Sequence, residues 1–191
     1  MTKLVYVAIV SAFVNNVVIG QMLGVNAAIR GSDQVKSALR LSVGVLIVTF
    51  VSSAITWPIG TFLLERFSFS YLQTILFLVV EAVFATLFTT LGAKRWPRQK
   101  EEYEKLLPLI LVNSAVLGIL LTNVQVGYSF LRSMVNSVCG AFGFAVAVLI
   151  LAGVRERIAY NDIPKPFEGV PILLVVCGLM AIAVYGFTGL L

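Results

Sequence analysis

The residues best placed to do chemistry in this chain are amides and one carboxylate set inside apolar stretches. Glu81 stands near the middle of the apolar run 71–93, where a carboxylate is costly and by default functional. Two readings of it stand side by side. It is a proton or cation site inside a helix bundle, or a hydrogen-bonded glutamate facing Asn, Ser or Thr side chains of a neighbouring helix. Asn15 and Asn16 lie in Val14-Asn15-Asn16-Val17-Val18-Ile19-Gly20, and Asn113 and Ser114 in the near-repeat Val112-Asn113-Ser114-Ala115-Val116-Leu117-Gly118. Uncompensated polar groups are expensive in such surroundings. A polar motif duplicated half a chain apart therefore points to two halves that meet around one centre.

Other chemistry is sparse. The chain has no histidine, which removes the commonest transition-metal ligand and proton shuttle. Cys139 and Cys177 both fall in apolar runs and read as small buried hydrophobes rather than ligands or a secretory disulfide. No nucleophile–base pair, Gly-rich phosphate loop or metal-ligand cluster is visible. The chain is not expected to be catalytic alone, and no metal site is expected.

The elements that position these groups are membrane helices. Of 191 residues, 59% are hydrophobic and 12% charged, about half the charged fraction of a water-soluble domain. Runs long enough to cross a bilayer cover residues 4–24, 39–64, 71–93, 106–123, 131–153 and 170–190. The expectation is an all-α integral membrane protein, with residues 1–191 forming a single transmembrane domain of six helices. The first run is too long for a signal peptide core and is read as retained.

Charge follows this topology. Arg30, Lys36 and Arg40, then Lys94, Arg95, Arg98, Lys100 and Lys105, then Arg155, Arg157 and Lys165 fall in alternate loops, against Lys3, Arg66 and Arg132 on the other side. The positive-inside rule places the first group in the cytoplasm and both termini outside. The net charge of +5 is thus a membrane signal, and nucleic acid is not expected as a partner.

Three spans precede the loop at 94–105 and three follow it, so the halves run in opposite directions. Repeat 1 covers about 1–95 and repeat 2 about 104–191, an inverted pair. Breaks are expected in the first and fourth helices, where the polar motifs lie and where Gly20 and Gly24 form a GxxxG. Asn15, Asn16 and Asn113 are then midplane polar groups that hydrogen-bond freed backbone or a passing ion. Trp57-Pro58 predicts a kink, and Trp96-Pro97 an interfacial helix end. The run from Lys100 to Lys105 reads as a short solvated helix that docks a partner, and Arg155-Glu156-Arg157 as an interface anchor with an internal ion pair.

The chain resembles the A subunits of the Rnf complexes, membrane-bound ferredoxin:NAD oxidoreductases that move ions, and more distantly the E subunits of sodium-pumping NADH:quinone reductases. The resemblance runs through Val14-Asn15-Asn16-Val17-Val18, Leu23-Gly24, Tyr71-Leu72-Gln73-Thr74, Leu107-Pro108-Leu109-Ile110 and Asn113-Ser114-Ala115-Val116-Leu117-Gly118. It continues in Leu121-Thr122-Asn123, Ser129-Phe130-Leu131, Arg155-Glu156-Arg157, Gly178-Leu179-Met180 and the run from Asp162 to Gly169. It implies pairing with other Rnf-like subunits, and with a homologous, oppositely oriented membrane subunit, in a bacterial or archaeal cytoplasmic membrane. It also implies a [2Fe-2S] cluster shared between the two homologous subunits, each giving two cysteines. The matching positions here are Asn26 and Ser114, and neither supplies a thiolate. The chain alone is therefore expected to hold no cofactor, the alternative being a shared [2Fe-2S] cluster. The functional expectation is a subunit coupling electron transfer to Na⁺ or H⁺ translocation; the alternative is a non-redox transporter or structural membrane subunit on the same scaffold.

Overall fold

The computed structural model describes residues 11, 16–64 and 70–186. Most of the first predicted span, Asn15 included, lies outside the described residues. The described chain forms helices α1 (Val25–Gly31), α2 (Val35–Pro58), α3 (Gln73–Arg95), α4 (Lys100–Leu111), α5 (Ser114–Gln125), α6 (Phe130–Ile158) and α7 (Val170–Tyr185). No strand occurs among the described residues.

Each long helix is apolar outside and mixed inside, the order that lipid as a solvent allows. On α3 the exposed side carries Ile75, Val79, Val83, Leu87 and Leu91. The buried side carries Phe77, Glu81, Ala85, Thr89 and Gly92 at helical spacing. On α2, Leu39, Val43, Ile47 and Phe50 face out while Ser42, Thr49, Ser52, Ser53 and Thr56 are buried. Inward hydroxyls reach back to their own helix: Ser42 donates to the Ala38 carbonyl at 2.7 Å and Thr49 to that of Val45 at 2.6 Å. Such bonds keep a polar group satisfied away from water. α2 and α6 form the most extensive helix pair and make the spine of the bundle.

Among the described residues three helices are long and apolar enough to cross a membrane, and a fourth span results if α4 and α5, bent by 43° at Val112-Asn113, are taken together. That bend is the break predicted in the fourth helix. α7 is apolar but shorter, 16 residues. The break predicted in the first helix involves residues outside the described ones; within them, residues 17–24 form turns and α1 begins at Val25.

The two Trp-Pro pairs act differently. α3 ends at Arg95, and Trp96-Pro97 opens a separate 3-10 turn. At Trp57-Pro58 the predicted kink takes the form of a change of helix type, α2 widening into a π-helix over Ile59–Leu64. A π-helix bonds one residue further back and so absorbs an irregular step in the ladder. Trp57 Nε1 donates to the Tyr128 carbonyl at 2.7 Å, tying this end of α2 to the turn before α6. The 100–105 run is helical as expected but continuous with the apolar residues of α4. Arg155 departs from expectation. It pairs with Asp33 at 2.7 Å and donates to the Ile29 carbonyl at 2.9 Å, so the anchor ties α6 to α1 instead of pairing within its own triplet.

Candidate functional site

A run of turns and a helix break meet in the bundle, and each is held by an asparagine. Asn16 is 2% exposed; its Oδ1 accepts from the backbone N–H of Val18 at 3.0 Å and of Ile19 at 3.2 Å. Its Nδ2 donates to the Gly143 carbonyl of α6 at 2.8 Å. The Leu23 N–H returns to the Val17 carbonyl at 2.9 Å, closing the turn. Met22 (φ 55) and Gly24 (φ 73) take left-handed backbone on either side of Leu23. At the helix break Asn113 is extended, 1% exposed, and its Oδ1 accepts from Ala115 N–H at 3.0 Å. The Asn113 bond is an N-cap at the start of α5, whereas the Asn16 bonds close a side-chain-held turn ahead of α1.

The segments touch where their side chains are smallest. Gly24 N–H donates to Ser114 Oγ at 2.7 Å. A Cβ on Gly24 would lie 2.7 Å from Ala115 Cβ and 3.0 Å from Asn113 Oδ1, and one on Gly118 would lie 2.5 Å from Leu23 Cδ1. Gly24, on left-handed backbone, needs glycine for this approach, while at Gly118 the end of the Leu23 side chain would have to move. The end of the 17–24 turn segment is thus packed on the start of α5.

Glu81 stands behind the helix break. It is 0% exposed, and its Oε1 accepts from the backbone N–H of Asn113 at 2.8 Å. The carboxylate thereby satisfies the donor left over at the N-cap, the task that a capping-box glutamate performs from within its own helix. Its other oxygen, Oε2, and the Asn113 Nδ2 are buried with no hydrogen-bond partner among the described residues. A carboxyl oxygen and an amide donor so placed can take up a proton, a water or an ion.

Asn26 and Ser114 lie on the outer side of this junction. Both are exposed, as are Met22 and Val112 beside them. Ser114 accepts from the Gly24 N–H, two residues before Asn26 in the chain. The donors there are an amide and a hydroxyl that already serves a backbone N–H, while the thiols Cys139 and Cys177 are free and belong to α6 and α7. No group of three or more His, Cys, Asp or Glu that could hold a metal occurs among the described residues. These residues do not fit a thiolate-held cluster.

A model of the family described as "Rnf-Nqr subunit, membrane protein" matches residues 4–191. The chain belongs to this family. It is 39% identical over 187 residues to the A subunit of the Na⁺-translocating ferredoxin:NAD⁺ oxidoreductase complex of Acetobacterium woodii, covering 98% of this chain and 97% of that one. Similar relatives, each named as the A subunit of an ion-translocating oxidoreductase complex, occur in Syntrophotalea carbinolica, 37% identical, and Serratia proteamaculans, 36% identical. Each alignment spans 190 residues, 100% of this chain and 98% of the relative.

Within this Rnf-Nqr family member the sequence reading overlooked a second polar centre. Asn136 Nδ2 donates to Asn123 Oδ1 at 2.7 Å, and Asn123 Nδ2 to Ser137 Oγ at 2.9 Å and Ser53 Oγ at 3.2 Å. Ser137 donates to Ser53 at 2.8 Å, and Ser11 to Asn136 at 2.5 Å. All five residues are buried, and they join the Ser11 segment, α2, α5 and α6. The signal was present in the sequence, since Asn123, Asn136 and Ser137 interrupt apolar runs just as Asn113 does.

Proposed function

We propose that this chain is a membrane subunit of an Rnf-type complex that couples electron transfer to Na⁺ or H⁺ translocation. One observation carries the reading: an end-to-end family match on a chain whose 17–24 turn segment packs on the capped break at Asn113 inside the bundle. In this reading the chain crosses the cytoplasmic membrane of a bacterium or archaeon six times, as inverted halves 1–95 and 104–191, with both termini outside. Paired breaks at a repeat interface are the layout in which freed backbone and buried polar groups line an ion path. In this reading Glu81 and Asn113 form that junction and Asn16 holds the facing turn, with Glu81 the group that carries the ion or proton. The exposed face around Asn26 and Ser114 receives the homologous membrane subunit, because polar side chains at this depth are costly against lipid.

A second reading, a transporter or structural subunit without redox chemistry, is favoured by the amide and hydroxyl at 26 and 114. Fold-level likeness alone does not separate the two. A tagged chain purified from its own membranes separates them. Under the first reading flavin and iron–sulfur subunits copurify, and deletion of the gene abolishes ferredoxin-dependent NAD⁺ reduction together with ion uptake into vesicles. A colourless protein purified alone, with unchanged vesicle activity in the deletion strain, would establish the second.

A further inference from the structure

A cleft of about 690 Å³ lies between α1, the start of α2 and α4. Its rim carries Arg30, Lys36, Arg40 and Lys105 against Asp33 and Glu102. Both acids are already engaged: Glu102 pairs with Arg40 across the cleft, and Asp33 with Arg155 at 2.7 Å. Arg30, Lys36 and Lys105 are left with no carboxylate partner among the described residues, although all three face one cavity. Like charges gathered in this way raise the local potential and draw an anion.

The other wall of the cleft is apolar. Leu106 and Leu109 line it, and Val43, on the same side of α2 as Lys36 and Arg40 by helical spacing, is exposed. Lys36 and Arg40 lie in the first turns of α2, a helix long and apolar enough to span, and the exposed Val43 follows them along that helix. A basic pocket between helices at that level, opening onto lipid-facing residues, matches a phospholipid with its headgroup at the rim and its chains along the wall.

We propose that this cleft binds the headgroup of an anionic phospholipid, with Arg30, Lys36 and Lys105 holding the phosphate. The site is separate from the Glu81 junction and does not depend on the redox reading. An acidic protein segment would use the rim but not the apolar wall.

The test uses the detergent-purified complex titrated with dioctanoyl phosphatidylglycerol, dioctanoyl phosphatidylcholine or inorganic phosphate, read as a shift in Tm. Phosphatidylglycerol is expected to bind at least tenfold more tightly than phosphatidylcholine, with the difference shrinking as salt rises. Each of Arg30→Gln, Lys36→Gln and Lys105→Gln should weaken phosphatidylglycerol binding about fivefold, and the triple variant should bring it to the phosphatidylcholine level. Lys94→Gln, outside the cleft, should leave the preference intact. If the triple variant does not assemble, the single variants decide. Equal response to the two lipids, or a preference that survives the single substitutions, overturns the proposal. A shift reproduced by inorganic phosphate alone assigns the site to a free anion instead. Loss of a partner subunit from the variants with lipid preference unchanged assigns it to protein docking, which equally overturns it.

Discussion

Glu81 caps with one oxygen and keeps the other without a partner among the described residues, so the cap and the proposed carrier role can be separated. Oε1 holds the Asn113 N–H at the start of α5, so removing the acceptor strands a buried donor, at a cost of about 1–3 kcal/mol. Glu81→Leu should therefore lower the Tm of the assembled complex. Glu81→Gln keeps a carbonyl oxygen for that N–H and should stay within about 1 kcal/mol of the parent. If Glu81 carries the translocated ion or proton, the Gln variant should keep its stability and lose coupled uptake into vesicles. Intact uptake in a stable Gln variant would reduce Glu81 to a cap. Gly24 is a purely steric case: alanine there meets Ala115 Cβ at 2.7 Å on left-handed backbone, and the strain alone is about 1–3 kcal/mol. Gly127 also has positive φ, at +67°, with open space around it. Gly24→Ala should therefore destabilise clearly more than Gly127→Ala in the same thermal assay, and equal losses would mean that the Gly24–Ala115 approach is not tight.

Helices in lipid gain nothing from apolar contact with one another, so polar pairs and close packing must hold them in register. The Asn123 centre is the strongest such tie, linking α2, α5 and α6 through side chains alone. Asn123→Leu removes three bonds, each worth roughly 0.6 kcal/mol in a membrane interior, and should cost about 1–2 kcal/mol in Tm-based stability. Thr90→Ala, which removes only two exposed bonds to its own helix, should cost almost nothing; equal effects would deny the Asn123 centre its role. The sequence allowed the elements themselves to be read. Apolar runs gave α2, α3 and α6, Trp96-Pro97 gave the end of α3, and the Asn113-Ser114 motif marked the break between α4 and α5. Partner choice was not legible there. That Arg155 would reach Asp33 and not Glu156, or that Gly24 would meet Ser114, depends on how helices far apart in sequence cross. Periodicity along one helix carries no such information. The repeat alignment also pairs Asn16 with Ser114, whereas in the structure it is Asn16 and Asn113 whose amide oxygens accept from backbone N–H groups. Local turn geometry, not position in the motif, decides which amide faces the backbone.

At the scale of the molecule, the orientation of the bundle rests on where its cations lie. Arg155 and Arg157 close α6, Lys94 and Arg95 close α3, and Lys100 and Lys105 flank the start of α4, so these three helix ends should share the cytoplasmic side. The α5–α6 turn, with Val126, should face out, and the α6–α7 connection, with Tyr160, should face in. Both residues are exposed, so a thiol at either would be open to solvent on its own side. On a background with Cys139→Ala and Cys177→Ala, Val126→Cys should react with an impermeant maleimide in intact cells, while Tyr160→Cys should react only after the membrane is opened. The prediction is stringent because both sites flank α6, a helix of 29 residues. At about 1.5 Å per residue it reaches across the roughly 30 Å hydrocarbon core, so the two labels must report opposite faces if α6 spans. The same pattern reversed would invert the charge-based orientation while leaving the bundle intact. Labelling of both sites from outside would remove α6 as a span, and with it the inverted pairing of the turn segment and the capped break.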